Sequence, residues 1–452
     1  MILNRDSISL INHASIFIES NKKNILSDPW VDGEIFNNGW KLIYTNKEEY
    51  IKKILSKTNY IYLSHEHPDH FSVSFFKKYY KILNKKKIKI IFQDTKDKRL
   101  KHFLENKFGL NFIILSDKFF DKKNKNQQLT LYKNSYIDSS LIYKTKNFYH
   151  INFNDCNFED EEIKYIKQQL VDKKRKRILY IQFSYAAYRS NNQWLKDAAL
   201  YKLKNIKKIS KLLNTDLVIP FASFIHFSNI ENQNLNKFKN TCKTTSEFLT
   251  KNKINHCFLN PLNHNVSVNK LINSSDFRKK INSKSILFWD KKFSVKLKKF
   301  TPSVKKIIDN ELIEKFLNRV RNKNSIFLMY LIRFLSMRKI FGDVIIYLTD
   351  TKKIFKINFF SINQIKNKKN VSLHMKSEVF FFMLKEIYGV DTIIVNGRFK
   401  EVKKNAYSNL ILALGFSVIN QSNYGIDLKT LFNKFFFKKI IFALKNVKSK
   451  KS

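Results

Sequence analysis

Cysteine is scarce in this chain. Among its 452 residues there are three cysteines, Cys156, Cys242 and Cys257, which lie far apart and form no Cys-x-x-Cys pair. This excludes a disulfide framework and a cysteine-based zinc site, and it predicts a reducing, cytoplasmic setting. Long apolar runs are also missing, because none reaches the roughly 20 residues that a membrane-spanning helix needs. The first residues lack the basic and then apolar order of a signal peptide, so we expect a soluble or peripheral protein.

Acidic residues are few as well. There are 37 Asp and Glu residues against 85 Lys and Arg residues, which gives a net charge of +48. Such an excess can indicate binding to nucleic acid, since lysine and arginine neutralise phosphates. Here, however, lysine is spread over the whole length beside abundant Asn, Ile, Phe and Tyr, as an AT-rich coding sequence would produce. No nucleic-acid-binding motif accompanies the charge, and we therefore do not expect a nucleic-acid partner.

Glycine and proline are rare, with eight and five residues. Four of the prolines, Pro29, Pro68, Pro220 and Pro261, lie in the first 265 residues beside most of the histidines. These residue types supply backbone geometry that others adopt poorly. Their clustering indicates a functional site that is built from loops.

Hydrophobic spacing predicts a layered α/β architecture. After an opening pair of strands, it predicts helices over 47–56, 73–83 and 194–213, and strands over 60–63, 88–92, 139–144, 148–153, 177–183 and 217–219. The character of the chain changes near residue 290, which predicts two domains, 1–290 and 291–452. For the second we expect a small α+β domain with strands over 344–348, 354–359 and 392–395 and a helix over 377–388. Its last residues, 428–451, can form a basic amphipathic helix that either packs on the protein or lies on an anionic membrane surface.

A cluster of histidines near residue 65 is the main candidate for a metal-binding site. His65, His67 and His70 fall within six residues, and Asp69 lies among them. At the end of an apolar strand, His65 and His67 are two residues apart and point to the same side, so they can bind one ion as neutral imidazoles. Pro68 then turns the chain, so that Asp69 and His70 can face a second ion. Two neighbouring cations can hold a bridging hydroxide and polarise the group that it attacks.

The sequence HEHPDH at residues 65–70 resembles the HxHxDH signature of the metallo-β-lactamase superfamily. The resemblance implies a four-layer αββα sandwich with one or two divalent metal ions at its edge, zinc above all and manganese or iron in some members. The segments INHASIFIES and ILSDPW resemble lactonase-like and N-acyl-phosphatidylethanolamine phospholipase-like members. QFSYAAYRSN and IPFASFIHFSN resemble the β-lactamase-like part of CMP-N-acetylneuraminate hydroxylases and related bacterial proteins of surface-polysaccharide biosynthesis. The similarity extends over residues 8–290.

Carried over by position, the resemblance implies that His65 and His67 bind a first metal and Asp69 and His70 a second, with Asp155 completing the site. His13 is expected nearby. Two departures leave the other half of the site open. Asp138 stands near the place of an isolated third histidine. Asn229 occupies a further histidine position, for which His226 is a candidate substitute, and His264 in LNPLNHNV is a separate candidate ligand. The predicted metal ligands are His65, His67, Asp69, His70, Asp155 and His226.

The predicted function is that of a metal-dependent hydrolase. A metal-bound hydroxide, oriented with the help of Asp69 as the catalytic residue, would attack an ester, amide, lactone or phosphoester of a sugar or nucleotide sugar. Tyr185, Tyr188 and Arg189 could contact such an anionic substrate, or they form a solvated loop. Asp391 and Arg398 could be functional, but for both residues we favour turn and surface roles.

Two alternatives remain from the sequence. One is an iron-dependent oxidoreductase component that needs a partner protein, because the three cysteines cannot supply the Rieske cluster of the hydroxylases. The other is a degenerate, binding-only scaffold. The sequence leaves the oligomeric state open.

Overall fold

The computed structural model describes residues 6–20, 23–118, 128–134, 138–294, 302–334, 343–358, 360–421, 423–425 and 427. In these ranges the strands are, in chain order, β1 (Ser7–Asn12), β2 (Ser15–Glu19), β3 (Ile25–Ser27), β4 (Glu34–Ile35), β5 (Trp40–Leu42), β6 (Tyr60–Tyr62), β7 (Lys89–Gln93), β8 (Asn111–Leu115), β9 (Leu129–Lys133), β10 (Ser139–Lys144), β11 (Phe148–Asn154), β12 (Lys176–Gln182), β13 (Leu217–Phe221), β14 (Ile225–Phe227), β15 (Val266–Ser267), β16 (Val344–Leu348), β17 (Ile354–Ile357), β18 (Ile362–Ile365), β19 (Leu373–Met375) and β20 (Lys400–Glu401). The helices are α1 (Glu48–Lys57), α2 (Val73–Lys85), α3 (Arg99–Phe108), α4 (Asp160–Gln169), α5 (Asn192–Leu213), α6 (Cys242–Lys251), α7 (Val268–Asn273), α8 (Ser275–Phe293), α9 (Asn310–Arg321), α10 (Ile326–Phe334), α11 (Ser377–Lys385), α12 (Gly389–Asn396) and α13 (Ala406–Asn420).

Two sheets form the centre of the N-terminal part. One has the strand order β15-β1-β2-β3-β6-β7-β8, and the other has the order β13-β12-β11-β10-β9. Their facing sides share one hydrophobic core, in which Ile16 and Tyr62 of the first sheet join Leu141 and Ile151 of the second. The core between the sheets thus supplies the two inner layers of a sandwich.

Helices cover the outer faces of both sheets. Phe75 of α2 and Leu104 of α3 pack in a separate core with Ile61 and Ile90 of the first sheet. Ile206 of α5 joins the core of the second sheet, whose strand β12 is buried on both faces, as a parallel strand between two layers must be. The predicted four-layer αββα sandwich is therefore confirmed.

The C-terminal part has its own sheet, of order β18-β17-β16-β19-β20, together with helices α9 to α13. Its hydrophobic core includes Trp30, Trp40 and Phe227 from the N-terminal part, beside Phe380 and Ile393. The division into 1–290 and 291–452 stays a prediction, but the two parts share this core. Within the described ranges no helix combines the length and apolarity needed to cross a bilayer.

Most predicted elements agree with the structure to within about two residues, but the predicted strand over 392–395 is wrong. That segment lies in α12, which ends at Gly397 with φ +64°. The β-branched run around Ile393 favoured a strand, whereas Gly397 as a left-handed cap and Asp391 in the first turn favour a helix. Gly389 is the first residue of this helix. The predicted terminal helix over 428–451 lies outside the described residues.

Candidate metal centre

Four loops meet at one edge of the sandwich. The motif at 65–70 follows β6 directly, and Asp28 follows the neighbouring strand β3. His13 lies in the turn between β1 and β2, and Asp155 follows β11 of the opposite sheet. The ends of both sheets thereby bring residues that are far apart in sequence to one place.

His65 and His67 face each other across the first half of the cluster. The Nε2 atom of His65 lies 2.9 Å from Nδ1 of His67. An Oδ1 atom of Asp138 lies 4.0 Å from the same Nε2 of His65. The place near the expected third histidine is therefore taken by a carboxylate that reaches the cluster.

Asp69 and His70 form the second half. Asp69 Oδ2 lies 3.3 Å from His70 Nε2 and 3.4 Å from His13 Nε2. Asp155 Oδ2 lies 4.0 Å from His70 Nε2. His13 is therefore close to the cluster, as the resemblance implied.

The donor atoms suit a divalent metal ion. They form three overlapping groups whose ligand atoms lie within 4.8 Å of one another: His65, His67 and Asp69; His13, Asp69 and His70; His65, His70 and Asp155. The Oδ1 atoms of Asp69 and Asp155 are buried and accept no hydrogen bond. An unpaired buried carboxylate oxygen is costly, and a cation bound there would satisfy it. Imidazole nitrogens with carboxylate oxygens are the donors that zinc, iron and manganese accept.

A second set of contacts orients His70. Asp28 is fully buried, and its Oδ2 atom lies 2.9 Å from His70 Nδ1. The backbone N–H of Ser64 donates to Asp28 Oδ1 at 2.8 Å. A carboxylate on one ring nitrogen fixes the tautomer and directs the other nitrogen at the metal site.

The charges in the cluster are strongly coupled. Burial disfavours the protonated ring of His70, but Asp69 and Asp28 outweigh it and hold the pKa of His70 well above its usual value. Burial also disfavours the carboxylate of Asp69, yet His70 and His13 hold its pKa well below its usual value. The proton on Nε2 of His70 is the one that a cation would displace, because a ligating imidazole must be neutral.

The structure does not bring His226 to the cluster. His226 lies on β14, where its ring contacts Phe293 with centroids 5.7 Å apart, and burial lowers its pKa to about 4. Among the described residues no metal-competent group includes it. His264 is also elsewhere, with its Nδ1 atom 2.8 Å from the hydroxyl of Tyr50. The prediction that His226 completes the site therefore has no support from this geometry.

The aromatic loop after β12 differs from both sequence interpretations. Tyr185 is buried and donates its hydroxyl hydrogen to Leu235 O at 2.6 Å. Tyr188 is buried as well and donates to Glu401 at 2.9 Å. Both rings are thus structural, and only Arg189 is half-buried.

Two residues beside the cluster, Asp28 and Asp391, were not among the predicted site residues. Asp28 had a signal, since an aspartate directly after a strand that neighbours the motif strand must lie at the same edge. Asp391 had none, because 324 residues separate it from His67. Instead of a turn or surface role, its Oδ2 atom lies 3.0 Å from His67 Nε2. Arg398 is also not a surface residue, since only 1% of its side chain is exposed.

No family model matches the chain. A segment of 65 residues is 34% identical to cytidine monophosphate-N-acetylneuraminic acid hydroxylase of Cricetulus griseus, covering 14% of this chain and 11% of that protein. The enzyme of the same name from Sus scrofa is 35% identical over 66 residues, which is 15% of each protein. The match therefore spans only a small part of these curated relatives.

Solved structures of similar fold share little sequence. Igni18, a metallo hydrolase from Ignicoccus hospitalis, is 12% identical with a TM-score of 0.37, covering 57% of this chain and 95% of that one. The metallo-β-lactamase fold protein YhfI from Bacillus subtilis is 8% identical with a TM-score of 0.37, covering 57% and 97%. CmlA, a diiron β-hydroxylase from Streptomyces venezuelae, is 10% identical with a TM-score of 0.35, covering 49% and 45%.

Proposed function

We propose that this chain is a metal-dependent hydrolase that cleaves an ester, amide, lactone or phosphoester in an anionic sugar or nucleotide-sugar substrate. The observation that carries the proposal is the group of His65, His67, Asp69, His70 and Asp155, in which His67 and Asp155 are half-buried and the other three are buried. Their donor atoms converge, while two buried carboxylate oxygens accept no hydrogen bond. A divalent ion, zinc in this proposal, would act there as a Lewis acid and acidify a water molecule.

Asp69 is the residue to which we assign the catalytic role. It contacts His70 and His13 in the second half of the cluster, and its ligand atom also lies within 4.8 Å of those of His65 and His67 in the first half. Because its pKa is held well below the usual value, it is a carboxylate at neutral pH. It can therefore accept a hydrogen bond from the attacking water and orient it.

Two cationic side chains support an anionic substrate. Lys202 lies on α5, where burial lowers its pKa, while the charge of Asp155 raises it and that of Arg189 lowers it. Arg189 donates to Tyr188 O at 2.7 Å. In the described part of the chain neither cation forms an ion pair, which leaves both able to pair with a substrate carboxylate or phosphate.

The experiment is an assay of metal-reconstituted protein on para-nitrophenyl acetate, bis-para-nitrophenyl phosphate and a simple lactone. We expect zinc-dependent hydrolysis of at least one class and a loss of about 100-fold or more in Asp69→Asn. His264→Ala is the matched control, since that ring lies outside the cluster. Lys202→Gln should raise KM more for anionic than for neutral substrates. Absence of hydrolysis in all classes, or full activity in Asp69→Asn, would contradict the proposal.

The second candidate is an iron-dependent oxidoreductase component. The short segment that resembles the hydroxylases motivates it, as does Asp138, which adds a carboxylate beside His65. Iron retained by protein purified without added metal, together with an absence of hydrolysis, would favour this candidate. A chain with no bound ion at all would favour the binding-only scaffold.

A further inference from the structure

Helix α12 of the C-terminal part reaches the metal centre. Its first turn carries Asp391, whose Oδ2 atom lies 3.0 Å from Nε2 of His67. The opposite ring nitrogen, Nδ1, is the one that lies 2.9 Å from His65 Nε2. The two nitrogens of His67 thus have different partners, one in the cluster of ligand atoms and one on α12.

This division of contacts indicates a positioning role instead of ligation by Asp391. A ligating imidazole uses one nitrogen for the metal and donates the other N–H, often to a carboxylate. The side chains of His67 and Asp391 are only 22% and 17% exposed, so little water competes for the contact. The position of Asp391 in the first turn of α12 also stabilises its negative charge, because the helix N-terminus is the positive end of the dipole.

The other end of α12 is anchored to the N-terminal part. The backbone N–H of Tyr188 donates to Val395 O at 3.0 Å. Asn396 Nδ2 donates to Phe36 O at 2.7 Å, and Asn232 Nδ2 donates to Asn396 O at 2.7 Å. A helix that is fixed in this way can hold Asp391 against His67 without freedom to drift.

A parallel contact fixes the residue between the two histidines. The carboxylate of Glu66 accepts a short hydrogen bond from the hydroxyl of Tyr388, the residue that precedes α12. Arg99 Nη2 lies 3.5 Å from the same carboxylate and donates to the hydroxyl of Tyr388 at 2.6 Å. The C-terminal part therefore holds two consecutive residues of the metal-binding loop.

We propose that the C-terminal part is a component of the metal centre, in which Asp391 of α12 is the positioning residue that holds His67 in its ligating orientation. This inference rests on the metal centre of the proposed function. It assigns to the C-terminal part the task of holding His67 in position, which the sandwich alone does not perform. Metal affinity then depends on a carboxylate more than 300 residues from the histidine motif.

The experiment compares Asp391→Ala and Asp391→Asn with the unmodified protein in the full chain. The probe is Co²⁺, with affinity measured by competition against a chelator and the ligand geometry followed by the visible absorption of bound Co²⁺. Loss of a carboxylate behind a ligating histidine weakens metal binding by about 10- to 100-fold. We expect that loss and a changed spectrum in Asp391→Ala, and a smaller loss in Asp391→Asn, whose amide oxygen can still accept the hydrogen bond.

A matched control is Asp343→Asn in the same part of the chain, where the aspartate pairs with Lys356 at 2.9 Å. It should leave affinity and spectrum unchanged. A second readout needs no metal: the ¹⁵N signals of the His67 ring, assigned by their absence in His67→Gln, should shift in Asp391→Ala. Unchanged affinity and unchanged ring signals in Asp391→Ala would overturn the inference. Retained Co²⁺ binding with no hydrolysis would contradict the proposed function alone.

Discussion

Arg398 forms a buried ion network between the two parts of the chain, and its replacement by methionine should destabilise the protein strongly. The Nε atom of Arg398 donates to Glu231 at 3.1 Å, and Nη1 donates to Glu378 at 3.0 Å and to Asn37 O at 2.6 Å. Removing one member of a buried ion pair costs about 3–5 kcal/mol, because the partner charge stays behind. Glu231 and Glu378 are 15% and 14% exposed and can regain some hydration. We therefore expect Arg398→Met to lower the free energy of unfolding by about 3 kcal/mol, the low end of that range.

Urea unfolding measures this effect. Trp30 and Trp40 report on it by fluorescence, since both lie in the core that the two parts share. With a slope near 3 kcal/mol/M, a loss of about 3 kcal/mol lowers the midpoint by about 1 M. The matched control is Arg321→Met, which removes an exposed ion pair with Glu314 at 3.3 Å and should cost less than about 1 kcal/mol. Equal midpoints for Arg398→Met and Arg321→Met would refute the reasoning.

Further predictions concern two glycine substitutions, the release of protons on metal binding, and the role of His226. Gly397→Ala should lower the free energy of unfolding, measured in urea, by about 2 kcal/mol, because φ is +64° and the new Cβ would lie 2.4 Å from Tyr188 Cδ2. Gly415→Ala should raise the free energy of unfolding by about 1 kcal/mol, because Gly415 lies inside α13 with open space for a Cβ. Burial disfavours the charged ring of His67, but Asp391 raises its pKa to about 9. Metal binding near neutral pH should therefore release protons, and affinity should rise with pH up to about 9; calorimetry in buffers of different ionisation enthalpy checks this, and binding without proton release would contradict it. His226→Ala should keep the full metal content by elemental analysis, whereas loss of an ion would show that this ring reaches the centre.

The sequence predicted the sandwich well because its signals are local. The spacing of apolar residues within a short segment is enough to predict a strand or an amphipathic helix. In α2, for example, Ser72 is the cap, and the buried face carries Phe75, Phe76, Tyr79 and Leu83. The histidine motif follows the strand that positions it, so its place at the sheet edge could also be foreseen.

What the sequence could not supply are contacts between distant segments. Asp391 and Arg398 gain their roles from packing of α12 against loops far upstream, which no local pattern encodes. Asp138 reaches His65 only because β10 lies in the opposite sheet. His226 was favoured because it lies close in sequence to Asn229, where a histidine was expected. In the structure, however, strand β14 pairs with β5 and places the His226 ring beside Phe293.

The most direct test of the metal centre is the metal content of protein purified without added metal, measured by elemental analysis for the unmodified chain, His65→Ala and His67→Ala. His264→Ala serves as control, because its ring contacts Tyr50 instead of the cluster. We expect one or two divalent ions in the unmodified chain and in the control, and a clear loss of metal in both cluster variants. The same stoichiometry in all four proteins would contradict the account.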